Sequence, residues 1–152
     1  MPRAELMTDW VKRWFGIANE FASWSKDRST KVGCVIVSDA NQVLSGGYNG
    51  FPRGVVDDVD ARHERPAKYL WTEHAERNAI YAAARHGVKL EGATLYIPWF
   101  PCADCARAII QVGIRRVIAV NPVVNAQWDA HFAVAWEMMT EAGTDLVLLE
   151  DL

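Results

Sequence analysis

Two short runs constrain this chain more than any other feature: His74-Ala75-Glu76 and Pro101-Cys102-Ala103-Asp104-Cys105, each at the head of a helix-forming stretch. Residues three apart share one face of a helix, so Cys102 and Cys105 can offer two sulfurs to a single ion, each at about 2.3 Å. A helix start also favours thiolates, because its dipole and unpaired N–H groups stabilise negative charge there. For His74 to complete such a ligand set, the two helix starts must converge. The fold therefore has to bring two helix N-termini to one place.

The rest of the sequence supplies elements that can do this. Apolar spacing at Trp10, Val11, Trp14, Ile17, Ala18, Phe21 and Ala22 predicts a helix over residues 7–24, with Thr8 or Asp9 as its cap. Residues 32–37 and 42–48, separated by the turn-forming Asn41, predict an antiparallel hairpin. Residues 50–72, rich in charge, glycine and proline, predict a functional loop or lid. Helices are predicted over 74–86, stopped by Gly87, and over 102–112, set between Pro101 and Gly113. A further helix is predicted over 127–142, and strands over 93–97, 116–120 and 146–149. The order is α-β-β-α-β-α-β-α-β. Strands alternating with helices imply right-handed crossovers, so the last three strands should be parallel and the hairpin makes the sheet mixed.

Composition narrows the function classes. The chain has 152 residues, enough for one domain spanning 1–152 with a real core, and 51% of them are hydrophobic. No apolar run approaches the roughly 20 residues of a membrane helix. The N-terminal MPRAELMTDWVKRWF lacks the features of a secretory signal, so a cytoplasmic location and no membrane partner are expected. Three cysteines, two of them closely spaced, do not make a disulfide framework. A formal net charge of -3 gives no field for a polyanion, which argues against a nucleic-acid substrate, although Arg53, Arg62 and Arg65 are close in sequence.

The motifs then imply a chemistry. Four protein ligands close a structural zinc site, whereas three leave a tetrahedral position open, the catalytic pattern. His74, Cys102 and Cys105 make three, and Cys34, in an apolar strand, reads as a buried small hydrophobe. Zinc lowers the pKa of a coordinated water to about 7. Glu76, two residues from His74, is placed to take the water proton and pass it to a ring nitrogen and then to a leaving amine. The pairing H-x-E then P-C-x-x-C is the signature of zinc nucleobase deaminases. Two other readings stand beside it. A redox CxxC leaves His74-Ala75-Glu76 unexplained, and a structural zinc site needs His63 or His86, both expected to be solvated. The seven tryptophans suit a core or a subunit interface, except Trp99, just before the metal motif.

Four blocks carry a wider resemblance: STKVGCVIV at 29–37, GGYNGFPRG at 46–54, TEHAERNAI at 72–80 and PCADCARAIIQVGI at 101–114. Through them the chain resembles the cytidine deaminase superfamily and, within it, the deoxycytidylate deaminase branch. The resemblance implies an α/β fold, a three-layer α/β/α sandwich around a five-stranded mixed sheet, and zinc-dependent hydrolysis of dCMP to dUMP and ammonia. It implies that Asn49 binds the sugar hydroxyl and that backbone at 97–99 borders the base. Trp99 departs from the smaller residue expected there, which would narrow the pocket and favour a different or modified cytosine nucleotide. It also implies homo-oligomers, hexamers among them, and dCTP and dTTP as effectors. Arg28, Lys31 and Arg53 flank the matching blocks and are the candidate phosphate partners. A tRNA adenosine deaminase and a free-base or nucleoside deaminase remain open as alternatives within the superfamily. The non-enzymatic alternative is a zinc-stabilised binding module, against which Glu76 speaks.

Overall fold

Successive side chains of a strand point to opposite faces. The computed structural model, which describes residues 8–121 and 129–150, uses that alternation to build two cores on one sheet. Every residue of β1 (Gly33–Val37) is buried, with Cys34 and Ile36 in one core and Val35 and Val37 in the other. β2 (Val43–Tyr48), β3 (Thr94–Ile97), β4 (Arg116–Val120) and β5 (Asp145–Leu149) complete a five-stranded sheet in the order β2-β1-β3-β4-β5. β1 runs antiparallel to β2 and β3, while β3, β4 and β5 are mutually parallel. The mixed sheet with three parallel last strands is the expected one.

The helices divide between the faces. α1 (Asp9–Ser23) lies on one, capped by Thr8, whose Oγ1 accepts the Val11 N–H at 3.2 Å. Its Val11, Trp14, Phe15 and Ala18 pack with Val35, Val37, Tyr96 and Ile118. Two single-turn helices, α2 (Asp60–His63) and α3 (Lys68–Trp71), precede α4 (Ala75–His86). α4, α5 (Ala103–Gln111) and α6 (Asp129–Glu141) cover the other face, where Ala79, Ile109 and Met139 meet Ile36, Leu95 and Val117. The result is the three-layer sandwich. Residue 7 of the first predicted helix and residues 127 and 128 of the last lie outside the described residues.

Two glycines allow the helices to sit this close. A Cβ on Gly47 would come 2.5 Å from Ala75 O and 2.6 Å from Ala79 N, so α4 rests directly on the β2 backbone. A Cβ on Gly33 would strike the backbone of Ala18 and Ala22 on the opposite face. The hairpin reverses through residues 38–42, where Asn41 takes a left-handed φ of 57° and Ser38 N donates to Gln42 O at 2.8 Å.

Residues 50–72 differ from the expected loop or lid. Gly50 N donates to Glu73 O at 3.1 Å and Glu73 N to Gly50 O at 2.8 Å, stapling the ends of the excursion together. Inside it, Phe51 stacks on His63 at 4.8 Å and Arg62 lies over Trp71 at 4.1 Å. Its charged composition hid these turns, because they are held by ring contacts that have no helical or strand periodicity. Among the described residues, no helix is long and apolar enough to cross a membrane.

Candidate active site

The start of β1 and the ends of β2, β3 and β4 all reach one edge of the sheet, where α4 and α5 begin. Ligands of open α/β sheets gather outside the carboxyl ends of parallel strands. His74 is the N-cap of α4 and Cys102 the N-cap of α5, each with extended backbone. Neither side chain caps its own helix. They turn toward each other instead: His74 Nδ1 is 3.5 Å from Cys102 Sγ and 3.4 Å from Cys105 Sγ.

All three donor atoms lie within 4.8 Å of one another. A tetrahedral zinc with sulfur at about 2.3 Å and nitrogen at about 2.0–2.1 Å sets their separation near 3.6 Å, so the donor set fits the ion. Among the described residues, the cluster able to hold a metal comprises these three. Cys34 lies in the core on the α4 side, where burial drives its thiol pKa well up. His86 is exposed. His63 is half-buried and held within its own loop, with its Nε2 2.5 Å from Asp57 O and Phe51 stacked on the ring.

Cys105 donates to Cys102, which pushes the Cys102 pKa down to about 4 despite burial, and His74 adds to the effect. The same hydrogen bond and burial push Cys105 far up. Glu76, in the first turn of α4, is buried. Burial raises its carboxyl pKa, opposed chiefly by the charge of His74. A carboxyl lifted toward neutrality is suited to exchanging protons.

These groups close one end of a cavity of about 590 Å³ that also takes in Asn49, Asp27, Lys68, Arg65, Pro98 and Trp99. Asn49 is buried and braced on both sides: its Oδ1 accepts Val32 N and its Nδ2 donates to Thr30 O, both at 2.9 Å. Trp99 lies at the mouth, half its surface open at 52% exposure. Of the segment 97–99, the Ile97 side chain is buried in the core, and Pro98 and Trp99 line the cavity.

The three candidate phosphate partners are not among the lining residues. Arg28 is exposed and paired with Asp60 at 2.9 Å, and Lys31 and Arg53 are exposed side chains. Proximity in sequence to the matching blocks did not place them. The cations on the cavity wall are Arg65 and Lys68. Lys68 is buried against Asp27 with its Nζ 3.3 Å from the carboxylate. Lys68 heads the otherwise apolar helical turn Lys68–Trp71, but nothing local in the sequence ties it to Asp27.

Comparison with known proteins agrees with this geometry. Residues 8–121 match the family model for the cytidine and deoxycytidylate deaminase zinc-binding region. A protein of Aliivibrio fischeri, named as an uncharacterized deaminase in the luxG 3' region, is 41% identical over 95% of this chain and 96% of its own length. Human deoxycytidylate deaminase is 37% identical over 74% of this chain, which spans 65% of the human protein. In fold, the dCMP deaminase of cyanophage S-TIM5 superposes with a TM-score of 0.75 at 22% identity, covering 95% of this chain and all of that one at 100%. With its ligand cluster and buried glutamate falling inside the matched region, the chain belongs to the cytidine and deoxycytidylate deaminase zinc-binding family.

Proposed function

We propose that this chain hydrolyses a cytosine nucleotide, most readily dCMP to dUMP with release of ammonia. The observation that carries the reading is the grouping of His74, Cys102 and Cys105 with the buried Glu76 at one end of a cavity walled by Arg65 and Lys68. The relationship to human deoxycytidylate deaminase supports the choice of dCMP.

Zinc held by His74, Cys102 and Cys105 would supply a Lewis acid that makes hydroxide available at neutral pH. Glu76 accepts one proton of the attacking water and delivers it to N3 of the cytosine ring, then moves the proton of the new C4 hydroxyl to the amine that leaves from C4. Water is consumed, a C–O bond replaces the C–N bond, and ammonia departs. Asn49, with its amide fixed by residues 30 and 32, has a second amide hydrogen to offer a sugar hydroxyl. Arg65 and Lys68 supply positive charge for the phosphate in place of Arg28, Lys31 and Arg53. Trp99 borders the base at the mouth. A cytoplasmic location, assembly into homo-oligomers and control by dCTP and dTTP belong to the same reading.

A panel of dCMP, CMP, deoxycytidine, cytosine, adenosine and guanine tests the substrate. Conversion of dCMP above all others is expected, and activity confined to adenosine in an RNA stem-loop would overturn it. Glu76→Gln should keep its zinc while kcat falls by several orders of magnitude. Arg65→Ala should raise KM for dCMP much more than for deoxycytidine.

A further inference from the structure

One charged residue beside the metal cluster has no part in this chemistry. Arg77 follows Glu76 on α4, and its side chain is 22% exposed. Its Nε lies 2.6 Å from Glu73 Oε1. That N–H makes no well-directed hydrogen bond, so the contact is a pairing of charges. The same Glu73 oxygen accepts the backbone N–H of His74 at 3.0 Å. On its other side, Arg77 Nη1 reaches 3.8 Å from Asp104 Oδ2. Asp104 stands between Cys102 and Cys105 in the first turn of α5 and is held again by Arg107. A continuous run of charge therefore leads from the backbone of one metal ligand to the loop that carries the other two.

We propose that Arg77 is a positioning residue that clamps the starts of α4 and α5 together and slows the escape of zinc from His74, Cys102 and Cys105. This rests on the zinc deaminase reading above. Without the guanidinium, the carboxylates of Glu73 and Asp104 lose the cation that lies between them, and the link between the two helix starts is cut. Half-exposed ion pairs contribute little to stability. Residues behind a ligand, by contrast, alter metal affinity about 10- to 100-fold. Metal retention is therefore the quantity that the clamp controls.

The test follows zinc leaving the holoenzyme into a chromophoric chelator at fixed pH. Arg77→Met is expected to release zinc about 10- to 100-fold faster than the parent protein. Asp104→Asn should move the rate in the same direction, and the double variant should release zinc no faster than Arg77→Met alone, because both changes cut one bridge. Arg77→Lys, which keeps the charge and loses the fork, should restore part of the retention. In cobalt-substituted protein, Arg77→Met should shift the thiolate-to-metal absorption, a change that loosened packing away from the site does not produce. Circular dichroism checks the fold; if Arg77→Met does not fold, Asp104→Asn and Arg77→Lys decide. Unchanged release in the folded variants, or additive effects of the two substitutions, overturns the clamp. A parent protein without one zinc per chain overturns the deaminase reading instead, so the two failures are distinct.

Discussion

Lys68 Nζ lies 3.3 Å from both carboxylate oxygens of Asp27, across 41 residues of chain, and both side chains are almost entirely buried. The pair pins α3 to the loop that enters β1 and so fixes one wall of the cavity. Removing one partner strands the other charge. Lys68→Met should therefore destabilise the fold by about 3 kcal/mol in urea titrations, with a rise in KM for dCMP.

The same pair sets a dependence on pH. Burial works against the Asp27 charge, but the N–H groups of Thr30 and Ser29, then Lys68, outweigh it and hold its pKa below the ordinary 3.8. A depressed carboxylate contributes stability that is present above its unfolded value and lost as pH falls through the folded one. The stability gap between the parent and Asp27→Asn should be constant around neutrality and close below 3.8. A gap that widens in acid would contradict the assignment.

Gly33 and Gly47 allow a comparison of the two faces of the sheet. Alanine at either position meets helix backbone, which cannot yield as a side-chain tip can, and each should cost about 2–3 kcal/mol. Only Gly47→Ala pushes on α4 at Ala75, next to His74 and Glu76. It should lower kcat and zinc content, whereas Gly33→Ala should lower stability with both preserved. Equal loss of zinc in the two variants would remove the distinction.

Much of this arrangement was legible in the sequence, and the parts that were not share a physical cause. Strand alternation and helical spacing gave the five strands and the four long helices, because each element buries a regular stripe. The metal donors could be read because CxxC and HxE place chemistry at helix starts. Lys68, Arg65 and Arg77 could not. Their positions come from tertiary proximity between segments that no local period connects, as the 41-residue separation of Asp27 and Lys68 illustrates. Arg28, Lys31 and Arg53 do not line the cavity, since closeness along the chain says nothing about which side of a loop faces it.

Asn49 separates shape from hydrogen-bond polarity. Its Oδ1 accepts and its Nδ2 donates, to Val32 N and Thr30 O. Asn49→Asp keeps the shape but sets a carboxylate oxygen against the Thr30 carbonyl. It should therefore cost about 2 kcal/mol in stability as well as activity, comparable to Asn49→Ala. Differential scanning calorimetry would show it, and a stable Asn49→Asp protein would mean that the brace is dispensable.

Zinc joins α4 to α5 through three side chains and should stabilise the folded state by mass action. Stripping it with a chelator is expected to lower Tm by about 10 °C, and stoichiometric zinc should restore it. No change in Tm would mean that the donors do not hold the ion in the folded protein.

The hairpin reversal at residues 38–42 lies at the sheet edge opposite the metal donors, with Asp39, Ala40 and Asn41 exposed. That tip offers a point of attachment. An affinity handle or a fluorescent label spliced there would report on the enzyme in solution from the far end of the strands, leaving the end that performs the reaction in its native surroundings.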